Sequence, residues 1–108
     1  MSPVFRLSDQ IEILPVIHGS GQFMREVRSR LLKSSYDCLA VCLPPEFQTS
    51  VEAGIGKLPY ITASCQEEDD QTVNFVPIDP TQPVIAALRI ACQENKRREF
   101  IDLPTAHF

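Results

Sequence analysis

Strand-length apolar runs alternate with helix-length amphipathic stretches along this chain, and that alternation limits the folds open to it. Ile11-Glu12-Ile13-Leu14-Pro15-Val16-Ile17 is nearly all apolar and rich in β-branched residues, as a strand covered on both faces is. Pro15 supplies no ladder N–H, so a bulge or an edge position is expected there. Gln22 to Ser34 reads as a helix, because Phe23, Val27 and Leu31 recur at i, i+4 and i+8. Met24 and Leu32 flank that stripe, and Arg25, Glu26, Arg28, Arg30 and Lys33 take much of the remaining surface. Asp37 to Leu43 is a second uninterrupted strand, stopped by Pro44-Pro45, and Glu46 to Ile55 is a short helix closed by Gly54 and Gly56. Leu58 to Cys65 and Thr72 to Ile78 read as a hairpin around the acidic run Gln66-Glu67-Glu68-Asp69-Asp70-Gln71. Asp79-Pro80-Thr81-Gln82-Pro83 is a helix-start signal before the strongly apolar stretch Val84 to Glu94. Asn95-Lys96-Arg97-Arg98 closes that helix, and Glu99 to Leu103 is a last strand.

The order β-α-β-α-β-β-α-β implies an α/β fold with right-handed crossovers. It favours a mainly parallel, Rossmann-like sheet carrying helices on its faces. A length of 108 residues fits a single domain, 1–108. No helix follows the final strand, which leaves one sheet face bare. The expectation is therefore a truncated or N-terminal part of a larger protein, or a dimer partner covering that face.

Composition narrows the partners. Ten Lys and Arg against fourteen Asp and Glu give a net charge of −4, without the clustered basic face that nucleic acid needs. The opening Met1-Ser2-Pro3-Val4 has no basic segment leading into an apolar stretch, and no run approaches membrane-spanning length. A cytoplasmic protein without nucleic-acid or membrane partners is expected. Cys38, Cys42, Cys65 and Cys92 each sit in or beside an apolar segment and read as four buried thiols acting as small hydrophobes. Cys38 and Cys42 share a strand face but lie about 13 Å apart along it, too far for a disulfide. The acidic run lacks the alternating acidic pattern and central glycine of a calcium loop and reads as a solvated tip.

Ligands of open α/β sheets bind beyond the C-terminal ends of the strands. The first strand ends there in His18-Gly19-Ser20-Gly21, the hairpin's second strand in Asp79, and the last strand near Asp102. Histidine and carboxylate side chains on one rim suit a metal ligand set or a base with its orienting group. The glycine turn before a helix can cradle an anion on Gly19, Ser20 and Gly21, with Arg25 within reach of it. It is not a dinucleotide fingerprint, since Met24 occupies the third glycine position and no acidic residue ends the second strand. Nor is it a serine nucleophile elbow, which needs G-x-S-x-G.

A buried strand ending in His18-Gly19, then an arginine-bearing amphipathic helix, then an apolar strand resembles the opening of the erythromycin-esterase, ChaN and TraB/Tiki-like superfamily. The resemblance spans about residues 11–45. It implies an α/β fold among hydrolases, a haem-binding protein and metal-dependent peptidases. Those families place a glutamate at the end of the second strand. Here Leu43-Pro44-Pro45 stands there and Glu46 is displaced.

The leading expectation is the N-terminal part of a hydrolase-like, metal-assisted α/β protein. His18 is its ligand or general base, a divalent metal its cofactor, and Glu46 and Asp79 its supporting carboxylates. Against it stand a non-enzymatic interaction or scaffold domain that self-associates, and an anion- or nucleotide-binding module built on Gly19 to Gly21.

Overall fold

A computed structural model describes residues 5–16, 21–33, 35–67 and 73–103. The most apolar helix of the sequence organises the core. Pro83 starts α3 (Pro83–Gln93), where its missing N–H costs nothing, and Gln82 before it is extended. Ile85, Ala86, Ala87, Leu88, Ile90 and Ala91 are buried along it. Its C-terminus closes on Asn95 in the left-handed region (φ 57°), with Asn95 N–H on Cys92 O and Lys96 N–H on Ala91 O. That pair of bonds is the Schellman arrangement, with asparagine where glycine is usual.

The other elements are β1 (Phe5–Arg6), β2 (Glu12–Ile13), α1 (Gly21–Lys33), β3 (Cys38–Val41), α2 (Gln48–Ile55), β4 (Thr62–Glu67), β5 (Val73–Ile78) and β6 (Arg97–Phe100), and α3 packs on α1, α2, β3 and β6. A short 3-10 turn, Pro45–Phe47, leads into α2. Helices and strands are mixed, as expected. Among the described residues the strands form three pairs: β1–β2 antiparallel, β3–β6 parallel and β4–β5 antiparallel. Val41, Phe47, Val51, Ile55, Ile78, Ile85, Leu88 and Phe100 make one core joining the parallel pair, the hairpin, α2 and α3. No helix among the described residues is long and apolar enough to cross a membrane.

Several boundaries differ from expectation. Of the strand expected over 11–17, only Glu12–Ile13 is strand, and Leu14-Pro15-Val16 leaves the ladder where proline has no N–H to give. Phe5–Arg6, ahead of the expected strand, supplies its partner, β1. The hairpin's first strand begins at Thr62 because residues 56–60 prolong α2 in turns, with Leu58 N–H on Ile55 O and Tyr60 N–H on Lys57 O. The last strand starts at Arg97 because the left-handed Asn95 releases the chain sooner than a longer helix end does.

Gly54 lies inside α2 rather than closing it. A Cβ there would overlap the Ile78 side chain and come within 2.9 Å of Thr62 Oγ1. The glycine lets α2 approach the hairpin closely. A second tie joins α2 to β6: Arg98 Nε and Nη2 donate to the Glu52 carboxylate at 2.8 and 3.3 Å. Burial pushes the Glu52 carboxyl up, but hydrogen bonds from Arg98 and Gln48 and the guanidinium charge outweigh it, and the group is held below its ordinary range.

Candidate functional site

The parallel pair defines the rim where a site was expected. β3 and β6 run together in register, Cys38 beside Arg97 through Val41 beside Phe100. Their pairing continues past both strands, with Ile101 N–H on Val41 O at 3.0 Å and Asp102 N–H on Leu43 O at 3.2 Å. The two C-terminal ends therefore leave the core at one edge. Pro44 is buried there, and Pro45 turns the chain so that Glu46 is half-buried. The Glu46 carbonyl accepts Gln66 Nε2 from β4 at 3.1 Å. Asp102 is exposed, and its carboxylate accepts the Leu103 N–H at 2.8 Å.

Asp79 follows β5. Its Oδ1 accepts both the Thr81 N–H at 2.9 Å and the Thr81 hydroxyl at 2.8 Å, the side-chain turn that precedes α3. Those bonds, the backbone one foremost, hold its carboxyl below the usual range. Asp79 is therefore an ionised acceptor with one oxygen already in use. An apolar crevice of about 220 Å³ lies between Leu43, Phe75 to Pro77 of β5 and the first turn of α3, and Asp79 does not line it.

Of the remaining expected site residues, Gly21 opens α1 with open space around its Cα, and Arg25 is exposed on the same helix. His18, Gly19 and Ser20 lie outside the described residues. Among the described residues no three His, Cys, Asp or Glu side chains gather as a metal centre needs.

The thiols correct the expectation of four buried cysteines. Cys38, Cys42 and Cys65 are exposed and Cys92 is half-buried. The reason is the sheet faces. β3 turns Leu39 and Val41 onto the core and leaves Cys38 and Ala40 outside, so it is not covered on both faces. The hairpin does the same. Thr62, Ser64, Gln66, Asn74, Val76 and Ile78 face inward, while Ala63, Cys65, Glu67, Val73, Phe75 and Pro77 are exposed. Cys65 stands directly across from Phe75, and Val73 and Phe75 keep 50% and 66% of their surface. Sequence reasoning missed this face. Its signal was available, since Val73 to Ile78 is apolar at both parities and such a strand is made for cover on two sides.

No protein-family model, curated protein or solved structure matches this chain.

Proposed function

We propose that this chain is an α/β assembly module, and that the bare face of its β4–β5 hairpin is covered by the same face of a second copy. One observation carries the reading: an outward row of Ala63, Cys65, Val73, Phe75 and Pro77, bounded by Glu67 across from Val73, on a strand pair whose other face is turned to the core. Burying a large apolar side chain stabilises by about 1.5–3 kcal/mol. Phe75 and Val73 leave much of that unrealised in one copy, and face-to-face pairing of two copies recovers it twice over. Sedimentation velocity over a concentration series tests this. A dimer that the double change Phe75→Asp, Val73→Asn reduces to monomer supports the reading. A wild-type chain that stays monomeric throughout overturns it.

A second reading has its own support. The parallel pair ends at one rim beside Glu46, Asp102 and the crevice that Leu43 lines, the edge at which α/β sheets hold ligands. On this reading β3 and β6 seed a mainly parallel, Rossmann-like sheet of a larger hydrolase-like protein. His18 acts as ligand or general base, and a divalent metal is its cofactor. The resemblance over residues 11–45 favours it. His18→Ala then abolishes ester or peptide hydrolysis, or divalent-metal uptake, by the intact protein, and unchanged activity and uptake remove it.

A further inference from the structure

We propose that the outward face of α1 is a docking surface for an acidic amphipathic helix of a partner protein. Met24, Arg28 and Leu32 lie at i, i+4 and i+8 on that face, with Arg25, Ser29 and Lys33 alongside in the same spacing. Together they make one open face of the helix. Leu32 is 58% exposed at one end of it. Ser29, the smallest side chain, stands at the centre, where a partner backbone comes closest.

Charge identifies the occupant. Arg25, Arg28, Arg30 and Lys33 against the single Glu26 give α1 a charge of +3, in a chain of −4. The rest of the molecule therefore carries −7. Arg30 is already taken, since its guanidinium meets Glu12 at 2.7 Å. Arg25, Arg28 and Lys33 have no carboxylate within salt-bridge distance among the described residues. They span about 12 Å of helix, two turns, which matches carboxylates at i, i+4 and i+8 of a facing helix. Met24 and Leu32 supply the apolar contacts such a helix needs. The opposite side of α1 is anchored: Val27 is buried, the helix packs on α3, and Glu12 pins Arg30. The face is separate from the hairpin, so the two proposals stand or fall independently.

The experiment is fluorescence anisotropy on the full chain, with a labelled helical peptide of about 15 residues. The peptide carries Glu at every fourth position and Leu between. Saturable binding is expected, weakened at least tenfold by Arg25→Gln, Arg28→Gln, Lys33→Gln together. The surface change Leu32→Gln is expected to weaken it about threefold, with the circular dichroism of both variants unchanged. Arg97→Gln, a cation of β6, leaves it as it was. Should the triple variant lose its helical signal, Leu32→Gln alone decides. Binding unaffected by the triple or the Leu32 variant overturns the proposal. So does tighter binding of single-stranded RNA or anionic phosphatidylserine vesicles than of the peptide at the same salt.

Discussion

Gly54 shows how one residue sets the distance between two elements. In a helix interior, glycine costs about 1 kcal/mol relative to alanine, so propensity alone predicts that Gly54→Ala stabilises. Packing opposes it. The added methyl meets Ile78, which is 1% exposed, and Thr62 Oγ1, which is buried without a hydrogen-bond partner among the described residues. Overpacking of that kind costs about 1–3 kcal/mol, and a side chain as enclosed as Ile78 has little room to yield. Packing wins, and Gly54→Ala is expected to destabilise by about 1 kcal/mol, read as a lowered urea midpoint with an unchanged slope. From the sequence, Gly54 and Gly56 look like one helix-closing signal. Only the position of the hairpin separates their roles. Asp79 makes the complementary point. The helix start was legible from Asp79-Pro80-Thr81-Gln82-Pro83, but Gln82 is the N-cap and makes no side-chain cap bond; Asp79 instead closes a side-chain turn on Thr81 just ahead of it.

Between elements, the Arg98–Glu52 pair is the polar tie that no local pattern announces. Its residues are 46 apart in the chain, and each side chain is 23% exposed. Gln48 joins it, donating to Glu52 and to the Arg98 carbonyl. Because the folded Glu52 carboxyl titrates below its unfolded value, its contribution is present above the ordinary carboxylate range and lost as the pH falls through the folded value. Glu52→Gln is expected to cost about 1–2 kcal/mol at pH 7. It also flattens the loss of stability on acidification below about pH 4.5 relative to the unmodified chain. Denaturant unfolding at several pH values checks both; a parallel pH dependence in the two proteins contradicts the assignment. Helices were the more legible elements. The stripe Phe23, Val27, Leu31 and the proline before Val84 locate α1 and α3 within a residue or two. Strands were less so, since a short apolar run does not say where its ladder starts.

At the scale of the whole molecule, thiol chemistry reports which sheet faces are bare. Cys38, Cys42 and Cys65 are exposed, whereas burial pushes the Cys92 thiol up, with Arg98 opposing and Glu52 adding to the shift. A chromogenic disulfide reagent is expected to consume three thiols in a fast phase and the fourth at least about tenfold more slowly. If the hairpin faces pair, Cys65 alone slows as the protein is concentrated, and mapping of the labelled cysteines separates it from Cys38 and Cys42. Uniform protection of all four thiols contradicts the bare faces. By itself the sequence determined the local alternatives: where the helices α1 and α3 run, where proline and asparagine end them, and that β3 and most of β5 are apolar at both parities. Those properties rest on near-neighbour sterics and on periodicity, which a linear chain displays. Tertiary structure alone decided which side of each strand meets the core, that Gly54 is a contact rather than a stop, and that Arg98 finds Glu52. Each of these depends on residues brought together from distant parts of the chain, and burial and pairing energies between them leave no periodic trace in the sequence.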